Sequence, residues 1–253
     1  VAIAGGLVAF VLYFRRPSSP MRFRPAEWRP DLRLWKDILR IGLPAGGEFL
    51  LIATYIVLVY GIIRPFGAAA QAGFGIGARL MQAMFLPAVA IGFATAPVAG
   101  QNYGARQGAR VRQTFYVAAG LSAGVMFVVT LLCHIAPASM VAAFNADPAV
   151  IQFGVEYLQI ISWNFLATGV IFVSSSVFQG LGNTIPALAS STIRVVLFAV
   201  PALILARQPG FAMRHVWYLS VASVLVQLGL NVWLLHAEFR RKLAPFDAPA
   251  PAR

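Results

Sequence analysis

Six long apolar stretches dominate the hydrophobic pattern of the chain. Each has about the 20 residues that a helix needs to cross roughly 30 Å of hydrocarbon, and none alternates apolar with polar positions as a half-buried strand does. Backbone hydrogen bonds must be closed within lipid, so stretches of this length form helices. We therefore predict six membrane-spanning helices, at residues 41–64, 69–99, 114–136, 152–178, 185–206 and 214–237.

The segments around these helices predict the organisation of the rest of the chain. Residues 1–14 are apolar without a charged leader, so we expect the end of a preceding membrane helix rather than a signal peptide, with a further part upstream. Residues 15–40 are expected to form a basic cytoplasmic loop, residues 41–237 the six-helix bundle and residues 238–253 a cytoplasmic tail. The predicted fold class is therefore all-α and polytopic.

Basic residues indicate which way the helices run. Of the 20 Lys and Arg residues, only Arg79 and Arg194 lie within the apolar stretches. Fifteen of the others lie in residues 15–40, in residues 100–112 and after residue 238, against three on the opposite side. Because Lys and Arg are enriched in cytoplasmic loops, we expect a multi-pass protein of the plasma (inner) membrane with a cytoplasmic C-terminus.

Composition narrows the classes of function. Apolar residues make up 59% of the chain and charged residues 11%, whereas soluble domains have roughly 45–50% and 25%. The net charge of +12 comes from the loops, so it indicates a lipid partner and not nucleic acid. Cys133 is the single cysteine, which excludes an intrachain disulfide and a cysteine metal cluster. No HExxH, phosphate-loop or nucleophile-elbow motif is present, so we expect no enzyme, metal or cofactor.

Glu48 is the most informative candidate residue. It lies seven or eight residues into the first predicted span, roughly 10 Å inside the hydrocarbon boundary. An ionised carboxylate at this depth is costly unless water or a cation attends it. We therefore expect Glu48 to exchange a proton or to bind sodium; the alternative is a protonated residue that only packs.

Two arginines lie within the spans. Arg79 could pair with Glu48 or contribute to a cavity, or it could extend to the outer interface. Arg194 has either a structural role or a place at a cytoplasmic vestibule.

Polar and aromatic side chains suggest where a cavity would lie. On the fourth span, Asn164 and Thr168 share one helix face, which Ser175 continues two turns later. That face is expected to look into the bundle or into a wet cavity. Aromatic and sulfur-containing side chains could line a pocket for flat apolar cations, although core packing explains them as well. With Ser175, the cavity candidates are Tyr55, Met81, Met84, Phe85 and Phe172.

Two motifs carry a family resemblance. Residues 98–105 read VAGQNYGA and residues 177–187 read VFQGLGNTIPA, each at the predicted inner end of a span, where Gly and Asn favour a turn. Together with the six spans and Glu48, they resemble the C-terminal lobe of the multidrug and toxic compound extrusion (MATE) family. The cytoplasmic motif residues are Gly100, Gln101, Asn102, Gly104, Gln179, Gly180, Gly182 and Asn183.

The resemblance implies a twelve-helix transporter of two six-helix lobes, of which this chain is the second. Family members exchange organic cations or other xenobiotics for protons or sodium by alternating access. Glu48 matches the acidic residue of the seventh helix that takes part in coupling. Thr168 stands where the tenth helix of many members has a second acid, which leaves the choice between proton and sodium open.

Three other functions remain in view at this point. A lipid or oligosaccharide flippase of the same superfamily would need several cations facing its cavity, for which Arg79 and Arg194 are the candidates. A membrane-embedded enzyme would need converging His, Asp or Cys residues, which the spans lack. A chain without an N-terminal partner lobe would instead be a structural module, because alternating access needs two lobes.

Overall fold

A computed structural model describes residues 2–15 and 31–247 of the chain. Two compact units divide the chain between Arg40 and Ile41. The first contains α1 (Ala2–Arg15), a short apolar helix, and the first turns of α2. Parts of the predicted basic loop and tail, residues 16–30 and 248–253, lie outside the described residues.

The second unit is a helical bundle. Its helices follow one another with short connections, and a short 3-10 turn, Arg64–Phe66, separates α2 from α3. The helices are α2 (Leu32–Ile63), α3 (Ala68–Gly104), α4 (Gly108–Ile135), α5 (Pro137–Ala142), α6 (Pro148–Ile161), α7 (Asn164–Gly180), α8 (Ile185–Leu205) and α9 (Met213–Asp247). Within the described residues, five helices are long and apolar enough to cross a membrane.

The fourth predicted span is broken, which corrects the prediction of one continuous helix over 152–178. α6 and α7 meet at a bend of 55°. If the pair is counted as one span, the number of candidate spans is six. At the break, the Thr130 hydroxyl of α4 donates to the Ser162 carbonyl over 3.0 Å. A neighbouring helix thus provides a partner for a backbone group at the bend, as a break within lipid requires.

The predicted basic loop and the predicted tail are each partly helical, in the part that adjoins the helical bundle. Asp31 caps α2, since its carboxylate accepts the backbone N–H groups of Arg33 over 2.8 Å and Leu34 over 3.4 Å. The helix therefore begins at Leu32, within the segment expected to be a loop. At the other end of the chain, α9 continues through the expected start of the tail to Asp247.

The core is organised around α3 and α7. α3 packs along α4, α6 and α7, while α7 also contacts α4 and α9, and α8 packs against α9. Where α3 and α7 end, their backbones nearly touch: a Cβ added at Gly180 would lie 2.6 Å from the Ala96 carbonyl oxygen and 3.0 Å from the Gly100 nitrogen. Glycine at this position therefore permits the close approach of the two helices.

The two motifs are less loop-like than predicted. Gly100, Gln101, Asn102 and Gly104 all belong to α3, and the left-handed residue after that helix is Arg106, with φ 58°. In the second motif, Gln179 and Gly180 end α7, whereas Gly182, with φ 70°, forms the turn with Asn183. The prediction of a glycine turn is thus correct for the second motif and wrong for the first.

Candidate functional site

Glu48 is half-buried on α2 and faces α7. The hydroxyl of Ser175, which is 5% exposed, lies 3.5 Å from Glu48 Oε1 and can donate to it. Next to Glu48, a Cβ at Gly47 would lie 3.0 Å from the Leu188 side chain of α8, so the two helices are in side-chain reach at this point. The carboxylate therefore lies at a junction of α2, α7 and α8.

The three consecutive serines of α7 differ in what they bond. Ser174 donates to the Val170 carbonyl over 2.8 Å and Ser176 to the Phe172 carbonyl over 2.9 Å, both within their own helix. Such back-bonding is usual for serine in membrane helices. Only Ser175 of the three bonds across helices, to Glu48.

Neither arginine of the spans pairs with Glu48 in the described part of the chain. Arg79 is exposed. Arg194 lies instead over the ring of Tyr55, with its Cζ 5.0 Å from the ring centroid, in a cation–π contact. Among the described residues, Glu48 has no ion pair, and its one side-chain partner is Ser175.

The expected polar face of α7 is divided between two partners. Ser175 faces Glu48, whereas the Asn164 amide lies 3.5 Å from the Ser220 hydroxyl of α9. Thr168 is half-buried and forms no hydrogen bond with Glu48. The structure therefore brings one of the three predicted residues to the carboxylate.

Tyr55 belongs to a second group of contacting polar side chains, which was not predicted from the sequence. Its hydroxyl lies 2.9 Å from Ser220 Oγ, and its ring contacts Arg194 and also Phe198, at a centroid distance of 4.7 Å. Tyr55 follows Glu48 by seven residues and so lies on the same face of α2. Ser220 was missed because a lone serine in an apolar helix carries no distinctive signal.

The remaining cavity candidates are partly buried and pack against the core. Met84 and Phe85 contact a cluster formed by Ala88, Met126, Cys133 and Phe165. Met81 contacts this cluster and also a second core cluster, against which Tyr55 packs. Phe172 packs edge-on against Phe85, with centroids 5.8 Å apart. The structure thus distributes these side chains over packed contacts between α3, α4 and α7 and does not gather them around one pocket.

A charge cluster around the buried Glu238 lies beside the second motif. Glu238 of α9 is 5% exposed and accepts a hydrogen bond from the Asn183 amide over 3.0 Å. It also pairs with Arg241 at 2.9 Å and with Lys242 at 3.3 Å. Lys242 in turn donates to the Leu181 carbonyl. From the sequence this segment was predicted to be part of the tail. The i, i+3 and i+4 spacing of its charges was the available signal of a helix.

Comparison with known proteins identifies the family. The MatE family model matches residues 44–204. The multidrug export protein MepA of Staphylococcus haemolyticus is 27% identical over 80% of this chain and 45% of its own length. A probable multidrug resistance protein NorM of Thermotoga maritima is 23% identical over 91% of this chain and 49% of its own.

Solved structures agree on the fold. A crystal structure of MATE in the bent conformation superimposes with a TM-score of 0.87 at 18% identity, over 97% of this chain and 55% of that one. A MOP superfamily transporter from Pyrococcus furiosus, described as having a binding pocket of reverse polarity that suggests a different function, gives a TM-score of 0.85 at 18% identity, over 98% and 55%. The chain spans about half the length of these relatives, and it belongs to the MatE family of membrane transporters.

Proposed function

We propose that this chain is the C-terminal half of a cation-coupled antiporter that exports xenobiotic substrates of the organic-cation class in exchange for protons or sodium. The observation that carries the proposal is Glu48: a half-buried carboxylate inside a membrane helix, bonded by one hydroxyl and without an ion pair among the described residues. The names of the relatives, multidrug export and multidrug resistance proteins, support the direction and breadth of transport.

The coupling role follows from the cost of charge in lipid. An ionised Glu48 needs a counter-charge at this depth, and a proton or a sodium ion can supply it. The Ser175 hydroxyl can donate to the carboxylate when it is ionised, and its oxygen can act as a ligand when a cation is bound. Release of the cation then leaves a charge that favours a wetter arrangement of α2 and α7.

The expected partner of this chain is a second lobe of about the same size. Alternating access works by moving two repeats against each other around a site near the middle of the membrane. We place the C-terminus and the loops after α3 and α7 on the cytoplasmic side, from the excess of Lys and Arg there. Organic substrate would contact this lobe near Phe172, which is partly exposed and offers an aromatic ring suited to a cation.

A flippase is the weaker alternative. A phosphate-bearing cargo calls for several cations at the cavity. Arg79 is exposed and Arg194 is stacked on Tyr55, so the described part of the chain does not present a pair of cations beside Glu48.

Efflux from living cells tests the proposal. The complete natural protein is expressed in cells without their own efflux pumps, and loss of ethidium is followed by fluorescence for wild type, Glu48→Gln and Glu156→Gln. Glu156 is a half-buried glutamate on α6 and serves as a matched control. We expect Glu48→Gln to lose export while the control retains it.

Collapse of the proton and sodium gradients, one at a time, then identifies the coupling ion. Export by Glu48→Gln at the wild-type rate would place coupling elsewhere. A wild-type protein that moves no ethidium would favour the flippase.

A further inference from the structure

A groove of about 550 Å³ runs between α3 and α4, away from Glu48. On α3 its wall follows one stripe of residues from Ile91 to Asn102, and on α4 a matching stripe from Arg110 to Leu121. The stripes repeat every three or four residues, as one face of a helix does. Because residues 105–107 join the two helices, both stripes run from this connection into the membrane.

The deeper part of the groove is apolar and open. Val98, Val117 and Leu121 form its walls, and their side chains are 45%, 62% and 57% exposed. The eleven-residue rise from Arg110 to Leu121 is about 16 Å, which is close to half of the roughly 30 Å hydrocarbon core. The groove therefore has the length and polarity to hold one acyl chain of a single leaflet.

The end beside the connection is polar and positively charged. Arg110 is exposed there, and its side chain has no ion pair among the described residues. Asn102 shares this end and donates to a carbonyl of its own helix. The sequence has no Asp or Glu between Glu48 and Asp147, so this helix pair supplies no carboxylate of its own. Glu238 of the neighbouring α9 is already paired within its own helix.

We propose that this groove binds an anionic glycerophospholipid, with its phosphate at Arg110 and one acyl chain along Val98 and Val117. The positive-inside count places the connection at the cytoplasmic leaflet, where anionic lipids attract basic side chains. In a membrane, lipid tails are the natural occupants of an apolar groove. The Arg110 guanidinium selects among the lipids by the charge of the head group.

Native mass spectrometry of the complete natural protein tests the site. The detergent-solubilised protein is supplemented with phosphatidylglycerol or with phosphatidylcholine, and retained lipid is measured. We expect wild type to retain phosphatidylglycerol about fivefold more strongly, from one Arg at the head group. Arg110→Gln should lose this preference, whereas Arg110→Lys and the exposed, distant Arg207→Gln should keep it.

A second variant tests the acyl-chain part without changing charge. Val117→Trp fills the groove at an exposed position and should reduce retention of both lipids. The proposal is overturned if Arg110→Gln keeps the wild-type preference, if Val117→Trp retains lipid like wild type, or if inorganic phosphate displaces the lipid at equal concentration. Unchanged thermal midpoints without lipid establish that each variant is folded.

Discussion

At the scale of single residues, the proposed coupling group depends on one hydrogen bond. Ser175 provides the hydroxyl within reach of Glu48, while the serines on either side are satisfied by carbonyls of their own helix. The function of Ser175 should therefore be separable from that of its neighbours, although the three residues have the same chemistry.

We predict that Ser175→Ala slows ethidium export about fivefold, since a hydrogen bond of this kind contributes about 1 kcal/mol. Ser174→Ala, which removes only a bond within α7, should export at nearly the wild-type rate. Initial efflux rates at matched expression measure the difference. Equal rates for the two variants would show that Ser175 does not act on Glu48.

At the scale of helices, the crossing of α3 and α7 requires glycine at one point. Gly180 approaches the backbone of α3 so closely that a methyl group would overlap the Ala96 carbonyl. By contrast, a Cβ at Gly229 in α9 would meet nothing within 4 Å. The two positions form a natural pair for testing whether the motif glycine serves packing.

We expect Gly180→Ala to lower the thermal midpoint of the detergent-solubilised protein by about 5 °C, from an overpacking cost of about 2 kcal/mol. Gly229→Ala should leave the midpoint unchanged or raise it, because alanine favours a helix. A Gly180→Ala protein as stable as wild type would mean that the crossing can widen without cost.

The end of α9 is held to the second motif by Glu238. Its carboxylate joins Asn183 to the basic residues Arg241 and Lys242. We predict that Glu238→Gln destabilises the protein by about 1–2 kcal/mol, which is below the cost of breaking a fully buried pair because Arg241 is 65% exposed. Thermal unfolding measures this loss. A midpoint no lower than that of Glu156→Gln would contradict it.

Hydrophobic pattern predicted the elements well where lipid alone dictates them. Long apolar stretches gave the membrane helices, because no other local structure satisfies the backbone there. Helix ends were harder: α2 begins nine residues before its predicted start at residue 41, under the cap of Asp31. At the break between α6 and α7, the partner of the Ser162 carbonyl is Thr130 of another helix, which the pattern of residues 152–178 could not reveal.

At the scale of the whole molecule, the site was predicted in part. The position of Glu48 within an apolar helix was readable from the sequence, and the structure adds the Ser175 hydroxyl beside its carboxylate. The sequence did not indicate which polar residue of the α7 face contacts Glu48. Arg79, the charged residue considered as a partner for Glu48, is exposed. The links from Tyr55 to Ser220 and from Asn183 to Glu238 join helices distant in sequence, which periodicity does not report.

Under the proposed function, a carboxylate without an ion pair among the described residues would be useful in a two-lobed transporter. The chain matches about half of each solved relative, and a two-lobed transporter moves its halves around a central site. A group that is charged in one state and neutralised by a proton or sodium in the other can tie that movement to a gradient, provided that no fixed cation neutralises it permanently.

Transport in proteoliposomes tests this central claim most directly. The complete natural protein is reconstituted, a proton or a sodium gradient directed outward is imposed, and ethidium accumulation in the vesicles is recorded for wild type, Glu48→Gln and Glu156→Gln. We predict that one of the two gradients drives accumulation by wild type and Glu156→Gln, and that Glu48→Gln accumulates none. Gradient-driven accumulation by Glu48→Gln at the wild-type rate would contradict the assignment of coupling to this carboxylate.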